Sequence, residues 1–204
     1  MTNNDSRRHA KRQVRGLQRV DIIFNAAAEV FVEVGYVGAT MGMIANRADM
    51  ASGSLYQFFP NKEAIASALA NNYIEQFQVI YEQILALNFS HMDLAAIIDN
   101  FIDPLVKFNR KNPAFYVLSV STQYLPQLEP VLKDFHEAVI QYIRTVITHG
   151  VPTASIEEQS RAAVIMRRMF LAILPLLLNE NETENALVLD DMKAMFVFYL
   201  SRLA

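Results

Sequence analysis

Ser52, Gly53, Ser54, Leu55, Tyr56 and Gln57 follow one another in a stretch rich in hydroxyl and amide groups. These groups donate and accept hydrogen bonds but form no acid–base pair or nucleophile dyad, so their chemistry is recognition rather than bond making. Wound at about 100° per residue, Leu55, Phe58 and Phe59 gather on one side of a helix. Gly53 then falls almost opposite them, with Tyr56 and Gln57 to either side and Ser52 and Ser54 at the edges. A glycine inside an exposed helical face costs roughly 1 kcal/mol against alanine, which suits a helix that another surface approaches closely. A duplex groove is one such surface.

Each neighbouring residue keeps two readings. Gln57 has an amide that can bond both edges of an adenine, or it is an ordinary solvated side chain. Tyr56 can meet a phosphate or pack on a preceding helix. Lys62 stands near a helix N-terminus, an adverse place for a cation. That placement fits a compensating anion, the alternative being a plain surface lysine. Thr40 is suited to capping a helix, and a phosphate contact would add to that role.

Other chemistry is sparse. The chain has no cysteine, hence no disulfide or thiolate. His91, His136 and His149 lack metal-ligand spacing, and there is no phosphate loop, nucleophile elbow or dinucleotide turn. No catalytic residue, metal or cofactor is expected, and an enzyme is disfavoured. Asp99 and Asp103 share a helical face and read as a solvated acidic edge. Large apolar residues are plentiful, and Phe101, Phe108, Tyr116, Tyr124, Tyr142, Met166 and Phe170 are candidates to line an effector pocket with tyrosine hydroxyls for orientation. Plain core is the alternative for each. Arg167 and Arg168 read as an exposed edge of an apolar helix, with pairing to an acidic ligand or internal carboxylate as the alternative.

The elements that position these residues read as helix throughout, because no run alternates with period two. Apolar steps of three and four predict a first helix over 17–34, stopped by Gly35. Thr40 opens a second helix with Met41, Ile44, Ala45 and Ala48 inside, and Asp49 takes the turn because Asp tolerates left-handed backbone. A third helix covers 52–58. Asn61 caps a fourth over 62–87, roughly 39 Å long. Helices over 91–110, 113 to before Pro126, 130–149, 155–178 and 185–203 complete the chain. An N-terminal trihelical unit with a turn at Asp49 fits a helix-turn-helix.

Residues 1–62 carry eight Lys/Arg against five Asp/Glu, and residues 63–204 carry ten against sixteen. Six of the basic residues, Arg7, Arg8, Lys11, Arg12, Arg15 and Arg19, precede Val20. A basic head on an acidic body points to an anionic partner at one end, or to a solubilising tail. The longest apolar run, residues 169–178, is too short to span a bilayer. The basic N-terminus lacks the apolar segment of a signal peptide, so a soluble, cytoplasmic protein with no membrane partner is expected. The division read from the sequence is a basic arm at 1–16, a helix-turn-helix domain at 17–62 and a second domain at 63–204.

The runs FVEVGY (31–36), Thr40, IANRADM (44–50) and SGSLYQFFPNKEA (52–64) closely resemble the N-terminal domain of the tetracycline-repressor-like (TetR/AcrR) transcriptional regulators. The resemblance covers residues 18–66. It implies an all-α fold with an N-terminal helix-turn-helix domain that binds a double-stranded DNA operator. A C-terminal helical domain would then bind a small-molecule effector and form a homodimer through the eighth and ninth helices. Carried over by position, Thr40 contacts a phosphate, Ser52, Gly53 and Ser54 enter the major groove, Tyr56 meets the backbone and Lys62 pairs with a phosphate. Asp49 stands where the family generally has glycine, and Ala51 stands where it often has a Ser or Thr cap. Helix three is therefore expected to begin at Ser52, leaving Ala51 free to meet a thymine methyl. The expected function is a ligand-responsive repressor. A helical small-molecule-binding or carrier protein that does not read DNA is the alternative.

Overall fold

The computed structural model describes residues 3–124, 129–179 and 181–204, and the side chains of 3–17, Ser90, 122–124 and Val131 lie outside the described set. Among the described residues the elements are α1 (Asn3–Gly38), α2 (Met41–Arg47), α3 (Ser52–Tyr56), α4 (Lys62–Leu85), α5 (Leu94–Lys111), α6 (Pro113–Tyr124), α7 (Glu129–Gly150), α8 (Ile156–Leu177) and α9 (Glu182–Ser201), with a 3₁₀ turn at Phe89–His91 before α5. No described residue is in a strand, so the all-α expectation stands.

Helix boundaries follow local capping. Gly35 interrupts α1 with φ 70° and ψ 166°, a conformation that glycine reaches without a Cβ penalty. The other end of α1 departs from expectation: the helix begins at Asn3 rather than near residue 17, so the backbone of residues 3–16 of the proposed arm is helical. Asp93 accepts from Ala96 N at 2.8 Å and starts α5 later than His91. Asn181 accepts from Glu184 N at 3.2 Å and starts α9 earlier than Asn185. Ser155 and Glu158 form a reciprocal capping box at the head of α8.

The chain divides into two compact units, Met1–Leu69 and Ala70–Ala204, so the division falls within α4 rather than at Lys62. In the first unit α2 packs on α1 and α3. Its core holds Ile23, Ala27, Phe31, Ile44, Ala45 and Leu55, all buried. Truncating Leu55 to alanine would cost about 2–5 kcal/mol by transfer and cavity terms.

In the second unit α8 packs against α7 and α9, and α5 also packs against α9. Lys193 of α9 ties the last pair together, reaching Asp99 at 3.0 Å and Asp103 at 2.6 Å. Both carboxylates are exposed, as expected of a solvated acidic edge, and they also share one cation from another helix. Arg168 is exposed as expected, whereas Arg167 is half-buried. Among the apolar side chains of α8 and α9, Ala162, Met192 and Phe196 are buried within this chain, while Val164, Leu176, Leu187, Met195 and Phe198 are exposed. No described helix is long and apolar enough to cross a membrane.

Candidate nucleic-acid interface and effector cavity

The first site is built by the turn between α2 and α3. Thr40 caps α2, its side chain accepting from Met43 N at 3.2 Å, and remains exposed. Asp49 takes φ 50°, the left-handed conformation expected at the turn. Met50 N donates to Ala45 O at 3.0 Å, closing the chain back onto α2. Ala51 then occupies the N-cap of α3 without a side-chain hydrogen bond, so α3 begins at Ser52.

Leu55 anchors α3 inward and fixes what points outward. Ala51, Ser52, Gly53, Tyr56 and Gln57 are exposed, Ser54 is half-buried, and Gln57 forms the C-cap of α3. A Cβ built on Gly53 would meet nothing within 4 Å, and its φ is not positive. Neither packing nor backbone conformation in this chain therefore explains the glycine.

Lys62 behaves differently from an exposed contact residue. Its ammonium donates to Tyr36 O (3.0 Å), Val37 O (3.2 Å) and Ala39 O (2.9 Å), and sits 4.7 Å from the centroid of the Tyr36 ring. A lysine has three donors, and all are directed at carbonyls that follow the break at Gly35. The compensating negative charge for a cation at the head of α4 is thus a set of backbone dipoles. Tyr36 in turn donates to Glu63 at 3.1 Å; burial first, then the charge and hydrogen bond of Glu63, pushes its phenol above the ordinary value. Asn61 caps α4 as expected, accepting from Ala64 N at 2.8 Å.

Sequence reading missed a clamp from Arg47 of α2 to Glu29 and Glu33 of α1, with Glu29 at 2.9 Å. The four-residue spacing of the two glutamates was its only signal, and which arginine meets them depends on how α2 folds back. The basic residues of the arm lie outside the described side chains.

The second unit holds an apolar-walled cavity of about 40 Å³. Among the candidate residues, the structure brings Phe101, Met166 and Phe170 to its wall. Phe108 is buried nearby with its ring edge-on to Phe115, and lines a wider groove of about 770 Å³ between α4 and α5. Tyr142 packs on Tyr81, centroids 4.4 Å apart, and Tyr116 is half-buried; neither lines the cavity. The Tyr124 side chain lies outside the described set. Phe77 of α4, Leu105, Ser119 and Arg167 complete much of the wall and were not named as pocket residues from the sequence. In place of the expected tyrosine hydroxyls, the polar side chains in the wall are Ser119 and Arg167.

Comparison with known proteins agrees with this architecture. Residues 93–200 match the tetracyclin repressor-like C-terminal domain, and residues 23–69 match the tetR family of bacterial regulatory proteins. The chain therefore belongs to the tetracycline-repressor-like family and is a DNA-binding transcriptional regulator with an N-terminal helix-turn-helix. It is 25% identical over 172 residues to the fatty acid metabolism regulator protein of Bacillus subtilis, covering 84% of each chain. It is 22% identical over 167 residues to the HTH-type regulator YhgD of the same organism, covering 78% of this chain and 83% of YhgD. A TetR-family regulator from Streptomyces coelicolor shares the fold with a TM-score of 0.65 at 21% identity, covering 91% of this chain and 99% of that one.

Proposed function

We propose that this regulator is a ligand-responsive repressor that binds a roughly palindromic operator as a homodimer and leaves it when a small, mostly apolar effector enters the second unit. The carrying observation is Gly53: an exposed helical glycine with no intrachain reason is suited to close approach by a duplex groove. Ser52, Ser54 and Gln57 then supply hydrogen-bonding groups for base edges, with Ala51 available to a thymine methyl. Thr40 and Tyr56 flank them as phosphate contacts. Lys62 serves first as a cap for the end of α1, and a phosphate contact there requires it to exchange a carbonyl partner.

The exposed apolar residues of α8 and α9, with Phe198 at 68% and Leu187 at 64% exposure, support a second copy of the chain as the partner on this face. The cavity supports an apolar effector. It is far smaller than a usual ligand pocket of about 300–1,000 Å³, so occupancy must displace wall side chains. Phe77 is one of them, and α4 runs unbroken from Lys62 to Leu85. Tilting α4 would change the separation of two recognition helices that must meet half-sites about one helical turn or a multiple apart. A cytoplasmic location fits this role.

Mobility shift with DNA flanking the protein's own gene tests the reading. Specific retardation is expected, with affinity falling steeply as salt rises. Absence of binding to that DNA and to random duplexes at low salt would instead favour a carrier that does not read DNA.

A further inference from the structure

Arg167 carries the second unit's least expected feature. It lines the apolar cavity, yet its Nη2 is buried and has no hydrogen-bond partner among the described residues. A buried guanidinium nitrogen without a partner costs free energy, because water that would have solvated it is excluded and nothing replaces it. Burial first, and then the charge of Arg168, pulls the guanidinium below its ordinary value, with Glu129 opposing. Arginine nevertheless stays protonated, so the deficit is a missing anion rather than a neutralised base. The chain offers a weak substitute: Glu129 is 56% exposed and lies 3.5 Å from His136 Nδ1, with no ion pair to Arg167.

We propose that the cavity takes an amphipathic carboxylic acid, whose carboxylate pairs with Arg167 Nη2 while its hydrocarbon chain displaces the contacts among Phe77, Phe101, Leu105 and Phe170. The aromatic and aliphatic wall gives such a chain a dry environment, and Ser119, 3% exposed, adds a second polar side chain. The anion supplies the charge-assisted hydrogen bond that the folded chain leaves unmade, which strengthens in a low-dielectric site. The small volume, about 40 Å³, favours a compact head group over a nucleotide-bearing one. This inference rests on reading the second unit as effector-binding, and it names the chemical class and the residue that selects it.

Calorimetric titration of the full-length protein with a carboxylate series from hexanoate to palmitate, and with the matching primary alcohols, separates the two ideas. The best acid is expected to bind roughly ten- to a hundredfold tighter than its alcohol, the range for a hydrogen bond to a charged group. In Arg167→Met the alcohol should bind as before and the preference for the acid should vanish. If that variant does not fold, the acid-to-alcohol comparison in the unmodified protein decides alone. Equal binding of acid and alcohol overturns the anion anchor while leaving an apolar effector cavity. Binding of neither series overturns both. Binding of acyl thioesters of coenzyme A in place of the free acids overturns the compact carboxylate, since the thioester carbonyl has no charge to offer Arg167.

Discussion

The two units handle polar groups in opposite ways. In the first, two cations of the folded helices are engaged within the chain: Arg47 by Glu29 and Glu33, Lys62 by three carbonyls. What faces outward on α3 is uncharged. In the second, Arg167 Nη2 sits in an apolar wall without a hydrogen-bond partner among the described residues. A surface that meets a polyanion can be electrostatically quiet if cations are delivered elsewhere.

That contrast breaks most visibly at the arm. Residues 17–62 hold three basic residues, Arg19, Arg47 and Lys62, against four acidic ones, Asp21, Glu29, Glu33 and Asp49. The positive charge of this end therefore comes from Arg7, Arg8, Lys11, Arg12 and Arg15. Deleting residues 1–16 should weaken operator binding by roughly a hundredfold or more at low salt, and flatten the log–log salt slope by up to about four for each protomer of the dimer. Circular dichroism would show the remaining helices intact. An unchanged slope in filter binding would mean that the helix dipoles and neutral side chains of the folded unit carry the docking.

The two regions were also unequally legible in the sequence. The DNA-reading unit is local: Leu55 inside, Gly53 outside, Asp49 at the turn and Thr40 as a cap all follow from spacing and from what each residue type tolerates. The Lys62 cap did not emerge, because its acceptors Tyr36, Val37 and Ala39 are brought near only by the break at Gly35 and the return of the chain through α2 and α3. In the second unit, periodicity placed the helices but not which faces enclose space. Phe101, Met166 and Phe170 come together from α5 and α8, whereas Tyr116 and Tyr142, equally plausible by type, turn elsewhere. Arg167 and Arg168 are adjacent and alike in sequence. Only the rotation of α8 buries one and exposes the other.

A smaller effect distinguishes capping from contact inside the first unit. Lys62→Met removes three charge-assisted hydrogen bonds from a half-buried ammonium and should lower the stability of this unit by about 2 kcal/mol after allowing for solvent screening. Tyr56, 53% exposed, should behave differently. Tyr56→Ala is expected to leave the melting temperature within about a degree or two while reducing operator affinity by roughly tenfold. Thermal melts beside mobility shifts would separate them. If Lys62→Met melts like the unmodified protein but fails to bind DNA, the lysine's principal role is at the phosphate.

The smallest expected effect lies beside the cavity. His136 has its pKa held below the ordinary 6.5, by burial first and then by the charge of Arg167, with Glu129 opposing. The folded state thus binds fewer protons here than the unfolded chain does. The corresponding stability is present above the ordinary histidine value and is lost as pH falls through 6.5 toward the depressed folded value. Melting temperatures between about pH 7.5 and 5.5 should decline modestly in the unmodified protein, and His136→Gln should flatten the decline. Arg167→Met should make the decline smaller and end it at a higher pH, because it removes one of the two causes that depress His136. An identical pH profile in all three proteins would show that the charge of Arg167 is not felt at His136. It would thereby weaken the contrast between a first unit whose cations are engaged and a second unit that keeps an unsatisfied guanidinium nitrogen inside.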